Sequence, residues 1–432
     1  MKPRINTALS LIAVPILTSL LLAPCPVRAE EKKPPVTRYW MSVETHSMSM
    51  PGMEQMQGMP GMSSAFGPNR TLHLQLNSPK ALPPDPEATH DIPPGQNMGK
   101  TLPLLSPEHE KAAERYTPEE RGKQKYEKPK FRMLIYWGCG EEVRAGQPLV
   151  IDTEKMSPAD FAKAFSGRAV SHQSPPSERD GWIYAEWPNR KSSIKVPVDG
   201  SLVGDHFIHG NYAPDIRFSI DRMHDFMAPV EFTSVQGALT ESIRFQWKVI
   251  PTAIGYFAQA MARNEKAGET IFWSSSEVKD SGFGLMDYLT PADVRKLIKE
   301  GVVMEPKTTS CAIPKGIFKD TSGSMLNFIA YGEEMNVVYP PKPADPTEPW
   351  NPIWAVKVRL KSTGMTMLGR EQRGPGGIRE RQRQKYQGEG PREQPQEQYR
   401  EQEKSAETPP PPPPQEEGTM DKVKKLKGFF GF

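Results

Sequence analysis

Cysteine is scarce in this 432-residue chain, which holds Cys25, Cys139 and Cys311 and no others. Cys25 falls in an N-terminal leader, so the mature chain keeps two thiols and room for one internal disulfide. An excess of either charge is missing too. The 55 Lys and Arg nearly balance 52 Asp and Glu, which excludes a general electrostatic attraction to nucleic acid. Beyond the leader, no run approaches the roughly eighteen apolar residues that a membrane helix needs. Short catalytic signatures are also absent: there is no G-x-S-x-G, H-E-x-x-H, phosphate loop or dinucleotide fingerprint.

The leader itself is well marked. Lys2 and Arg4 precede an apolar stretch from Ala8 to Ala23, and Val27-Arg28-Ala29 has the small-x-small form of a cleavage site. Residues 1–29 therefore read as a secretory signal peptide cleaved after Ala29, and the expected product is exported, either periplasmic or secreted. Pro24 and Pro26 around Cys25 fit lipoprotein processing badly. In an oxidising compartment Cys139 and Cys311 either pair or remain two separate buried thiols.

Proline and methionine are abundant. The 46 prolines are about twice the usual share and are spread through loops and linkers. Six methionines (Met48, Met50, Met53, Met56, Met59 and Met62) fall within fifteen residues, the last five at a three-residue interval. Gly, Pro, Ser and Gln between them give neither a strand nor a helix period. Thioethers are soft ligands that suit Cu(I) and need no deprotonation, and His46 could add a ligand for Cu(II). On a polyproline II path, however, successive sulfurs would stand roughly 9 Å apart, so the run would have to wrap around an ion. The competing reading is an oxidation-prone linker. Copper is the one candidate cofactor.

The expected architecture is mostly β, with two β-sandwich-like units, short helical insertions, and a disordered N-terminal segment and C-terminal tail. Residues 30–69 read as a flexible Met/Gly/Pro-rich segment with one short strand at Arg38 to Val43. The first unit spans 70–226. It opens on Thr71 to Asn77, where Leu72, Leu74 and Leu76 alternate with His73 and Gln75, and it carries a long surface excursion at 78–129. Further strands are expected at Phe131 to Gly138, Gln147 to Asp152, Gly181 to Trp187, Ile194 to Val198, Gly204 to Ile208 and Ile216 to Ile220. Ser157-Pro158 marks a helix start, with helix to about Phe165.

The second unit, 227–362, has strands at Ile243 to Trp247, around Tyr256 to Ala260, at Thr270 to Ser274, at Met325 to Tyr331 and at Ile353 to Leu360. Thr290-Pro291 starts a helix that Gly301 stops. From Thr363 to residue 432 the chain reads as a disordered Gln/Glu/Arg/Pro-rich tail with a short basic amphipathic end. That end could touch an anionic membrane surface or dock on an envelope protein.

Three resemblances add to this reading. Ile243 to Val278 resembles the early strands of a fibronectin type III-like sandwich, through Trp247, the Pro-x-Ala-x-Gly-Tyr turn and the Trp273 strand. Residues 131–362 resemble uncharacterised exported proteins of Gram-negative bacteria, through YWGCGE (Tyr136 to Glu141), AGQP (Ala145 to Pro148), GNYAPDI (Gly210 to Ile216) and the WxxxPxAxGY run (Trp247 to Tyr256). That group implies a localisation and a fold but no reaction. The methionine run is similar to Met-rich segments of periplasmic copper-resistance proteins. His206, His209 and His224 read as loop or surface histidines, with His206 and His209 on opposite faces of one strand. The functional expectation is an exported, non-enzymatic envelope protein for binding or scaffolding. Copper handling by the methionine run and an envelope enzyme without short motifs are the alternatives.

Overall fold

A computed structural model describes residues 35–49, 67–107 and 131–369, apart from 158, 161–162, 164–167, 169, 172 and 281. The strands in chain order are β1 (Thr37–Ser49), β2 (Asn69–Ser78), β3 (Ala88–Asp91), β4 (Thr101–Pro103), β5 (Arg132–Trp137), β6 (Leu149–Asp152), β7 (Ile183–Trp187) and β8 (Gly204–Gly210). They continue with β9 (Ile216–Ile220), β10 (Phe232–Gln236), β11 (Ile243–Trp247), β12 (Ala253–Asn264), β13 (Glu269–Ser274), β14 (Ser310–Ile313), β15 (Ser324–Tyr339) and β16 (Trp354–Leu368). One α-helix, α1 (Pro291–Lys299), is present among the described residues. The chain is mostly β.

Nine strands form one long sheet in the order β6-β5-β13-β12-β15-β16-β1-β2-β7. Two smaller sheets, β4-β3-β8-β9 and β10-β11-β14, cover the same face of it. The result is two sandwich-like halves with a shared back. Alternation explains the layering. Tyr39, Met41 and Val43 of β1, Leu72, Leu74 and Leu76 of β2, and Val356, Val358 and Leu360 of β16 all turn inward and are at most 3 % exposed. Over the first half Tyr39 meets His90 and Phe218. Over the second, Phe245 and Trp247 of β11 pack on Trp273, Tyr256 and Phe328. The expected units 70–226 and 227–362 each supply one small sheet, and both contribute strands to the shared one.

The link between the halves, residues 226–230, lies flat on the inner face of β1 and β16. Thr45 Oγ1 donates to Met227 O at 2.7 Å, Ser362 Oγ to Ala228 O at 2.8 Å and Ser47 Oγ to Val230 O at 2.8 Å. Gly364 permits this approach, because a Cβ there would stand 2.7 Å from Val230 Cβ. Gly364→Val should therefore destabilise the fold by about 2 kcal/mol through overpacking. Urea unfolding checks it, with Gly369→Val as a second comparison, since a Cβ at Gly369 would meet Leu239 instead.

Several expectations need correction. The N-terminal strand is 13 residues long and part of the core, so the segment expected to be flexible is a sheet strand over 37–49. The excursion at 78–129 contributes β3 and β4, with Leu102 and Leu104 buried between prolines that hide their alternation. Order does not end at Thr363. The strand continues to Leu368 because Gly364, Thr366 and Leu368 keep the inward parity and both edges are paired. Ile194 to Val198 forms no strand, only a bridge between Val196 and Arg70. The helix cap at Thr290 is present, with Asp293 N donating to Thr290 Oγ1 at 3.1 Å, and Ser157 Oγ accepts from Asp160 N in the same way. No helix among the described residues is long and apolar enough to cross a membrane.

Candidate functional site

The outer face of the shared sheet differs from one end to the other, and its most unusual member is Arg359. A one-residue bulge in β15 between Tyr331 and Glu334 shifts that strand's parity and brings Glu334 outward beside Arg359. Arg359 itself is 7 % exposed. Its guanidinium carbon lies 4.2 Å from the ring centre of Tyr288 and 5.2 Å from that of Trp40, and its Nε donates to Ser42 Oγ at 2.9 Å. Among the described residues no carboxylate comes within 4.0 Å of it. The neighbouring lysines take the carboxylates instead. Lys357 pairs with Glu334 at 2.7 Å, and Lys361 bridges Asp287 at 3.2 Å and Glu44 at 3.6 Å.

Arg359 lines an open depression of about 640 Å³ together with Gln75, Gln173, Tyr184 and Asp287. The orientations of the two amides are fixed. Gln75 Nε2 donates to Pro176 O at 3.1 Å and to Tyr184 Oη at 3.2 Å, and Gln173 Nε2 donates to Glu334. Their carbonyl oxygens are left in the wall without hydrogen-bond partners among the described residues. Tyr184 Oη donates to Glu186 Oε2 at 2.5 Å, and His73 Nε2 lies 3.2 Å from the same oxygen.

The electrostatics follow from burial. Desolvation lowers the Arg359 pKa from its ordinary value, against the pull of Tyr288, Asp287 and Glu334, and a guanidinium still keeps its charge. Desolvation, then the hydrogen bond to Glu186, raises the Tyr184 phenol far above its usual range, so it acts as a donor and not as a base. Tyr288 is raised as well, first by burial and then by the charge of Glu44. Burial opposes ionisation of Asp287, but the Tyr288 backbone N–H and Lys361 outweigh it and lower its pKa. The depression thus sets one buried cation, Arg359, among the acceptor oxygens of Gln75, Gln173 and Asp287.

Compared with known proteins, the chain matches no family model and no curated protein. Function must be read from the geometry.

The residues singled out in the sequence are scattered. His46 is half-buried on the outer face of β1, its Nδ1 at 2.9 Å from Thr363 Oγ1, and Met48 lies beside Met365 near the end of that strand. Met50, Met53, Met56, Met59 and Met62 lie outside the described residues. Cys139 and Cys311 form a disulfide that ties the end of β5 to β14, with Gly140 N donating to Ala312 O at 2.9 Å beside it. The expected opposite orientation of His206 and His209 is present, but His206 is no surface residue. It is 1 % exposed, His90 is fully buried, and both belong to one chain of hydrogen bonds. Tyr39 Oη meets His90 Nδ1 at 2.9 Å, His90 Nε2 meets His206 Nδ1 at 2.8 Å, and His206 Nε2 meets Leu202 O at 2.7 Å. The Leu202 carbonyl only accepts, so His206 Nε2 carries a proton, and each tautomer back to the Tyr39 hydroxyl donor is then fixed. His209 faces outward near Asp91 at 3.3 Å, and His224 caps against Asp221 at 2.8 Å.

Gln75 and Arg359 occupy outward positions of alternating strands, and nothing in the sequence singles them out. The signal was weak: Arg359 is one of three cations alternating along β16, and only tertiary packing distinguishes it from Lys357 and Lys361.

Proposed function

We propose that this protein is an exported, non-enzymatic binding or scaffolding protein of the cell envelope, and that its outer face takes up a carboxylate-bearing polar ligand. The observation that carries the ligand reading is Arg359, a buried guanidinium with aromatic neighbours and no carboxylate partner among the described residues. Burying a charge costs several kcal/mol unless it is paired, and two aromatic faces offset only about 1–2 kcal/mol each. A ligand carboxylate bound by the remaining N–H groups would complete the pairing in the bidentate geometry that suits arginine. Export is supported by the form of residues 1–29 and by a disulfide spanning 172 residues, a bond typical of oxidising compartments. A fibronectin type III-like second half is supported by Trp247 and Trp273, which sit on facing sheets around Phe245.

Citrate, glucuronate and short peptides with free C-termini should raise the thermal midpoint of the full chain and perturb the fluorescence of its tryptophans. Arg359→Gln should weaken the binding member of that panel at least tenfold, about 1.4 kcal/mol, with unchanged circular dichroism. Equal binding by the variant would remove Arg359 from the reading. No response of the native chain to any of these carboxylates would remove the ligand class.

A further inference from the structure

At the opposite end of the same outer face from Arg359, the side chains change from charged to thioether. Along β1 the outward positions run Trp40, Ser42, Glu44, His46 and then Met48, and along β16 they run Lys357, Arg359, Lys361, Thr363 and then Met365 and Met367. The register aligns these methionines across four adjacent strands. Met48 stands opposite Met365, Met367 opposite Met325 of β15, and Met325 opposite Met261 of β12. None of the five belongs to a hydrophobic cluster of the core or packs against one. All are partly or well exposed, Met261 by 48 %. Burial therefore does not account for them.

We propose that Met48, Met261, Met325, Met365 and Met367 form a thioether site for a soft monovalent cation, Cu(I). Directly opposed residues on one sheet face have Cβ atoms about 4.5–5.5 Å apart, and neighbours two along a strand are about 7 Å apart. The unbranched Met side chain turns through three rotatable bonds, so the neighbouring sulfurs of Met325, Met365 and Met367 converge on one ion without movement of the backbone, with Met48 and Met261 flanking them at the two ends of the row. This is the framework that the Met50 to Met62 run lacks in any extended form, where about 9 Å separates its sulfurs. Soft thioethers select Cu(I) over the harder divalent cations. Because they carry no proton, the affinity should not depend on pH between about 5 and 7, unlike a histidine site. His46, one row inward, is engaged with Thr363 and is not required.

The test is an anaerobic Cu(I) titration of the full chain against a competing chromophoric chelator. Three forms are compared: native, a strand variant with all five residues changed to Leu, and a run variant with Met50, Met53, Met56, Met59 and Met62 changed to Leu. The native and run-variant chains should each hold a tight equivalent with sulfur-only coordination by X-ray absorption. The strand variant should lose it by roughly a hundredfold in affinity. Met→Leu nearly conserves volume. Should the five-fold variant fail to fold, the Met325→Leu/Met367→Leu pair is measured in its place, with roughly a tenfold loss expected. Retention of native affinity by whichever strand variant folds, or loss confined to the run variant, would overturn the proposal, as would no tight equivalent in the native chain.

Discussion

Acidification below about pH 6.5 should destabilise this protein steeply, through two histidines that the fold keeps neutral. Burial holds His90 well below its ordinary pKa, with the neighbouring His206 acting in the same sense. Burial also lowers His206, although the Leu202 carbonyl and Asp205 oppose it. In the unfolded chain both return to the ordinary value of 6.5. The folded pKa is the lower one, so below 6.5 the unfolded chain binds protons that the folded chain cannot. The stabilisation is complete above the unfolded pKa and is lost as pH falls below it. Each histidine contributes a slope approaching about 1.4 kcal/mol per pH unit. His90, held well below its ordinary value, loses about 2 kcal/mol of stabilisation between pH 7 and pH 5, and His206 adds to the loss in the same direction.

The hydrogen-bond chain leaves no alternative site for a proton. His206 Nδ1 and His90 Nδ1 are the only free lone pairs on the two rings, and each already accepts a hydrogen bond, from His90 Nε2–H and from the Tyr39 hydroxyl. A proton on His206 Nδ1 would face the His90 Nε2–H and set two donors against each other in a dry core, and one on His90 Nδ1 would force the Tyr39 hydroxyl to turn from donor to acceptor. Urea unfolding at pH 7, 6 and 5 should show the free energy falling with pH, and His206→Gln should make the slope shallower. A flat profile from pH 7 to pH 5 would contradict neutral burial. Tyr39→Phe isolates the other end, because it leaves His90 Nδ1 without its donor and should cost about 1–3 kcal/mol at neutral pH.

None of that network was legible in the sequence, and the reason is physical. His90 lies in a Pro-rich stretch in which Ala88 and His90 alone mark the inward parity of a four-residue strand, so no period emerges. His206 was read by its neighbours, although its parity on β8 was visible. By contrast, strands with clean alternation were readable: Leu72, Leu74 and Leu76, or Val356, Val358 and Leu360. Their partners were not, since the parallel pairing of β1 with β16 joins residues more than 300 positions apart. The thioether row is the clearest case. Met48 belonged to an evident run, whereas Met261, Met325, Met365 and Met367 became its neighbours only through sheet register.

Reduction of Cys139–Cys311 should be the largest single loss of stability, about 5 kcal/mol. The bond closes a loop of 172 residues, and the chain-entropy estimate for a loop of that length is near this value. Its place in the fold argues that the full effect should be felt. Cys311 stands opposite Phe245 in the small sheet that covers β12, β13 and β15, and Cys139 leaves β5, which pairs with β13. The bond therefore joins cover to back at an outer edge, where β14 has one strand neighbour among the described residues. Adding a reductant, or making Cys139→Ser/Cys311→Ser, should lower the free energy of unfolding by the same amount. Hydrogen exchange should locate the weakening in β10, β11 and β14 before β15 and β16, which are paired on both sides. A loss below about 1 kcal/mol would mean that the unfolded loop is already compact. In that case the cover is held by the aromatic cluster of Phe245, Trp247, Tyr256, Trp273 and Phe328, and the disulfide only records where the two layers meet.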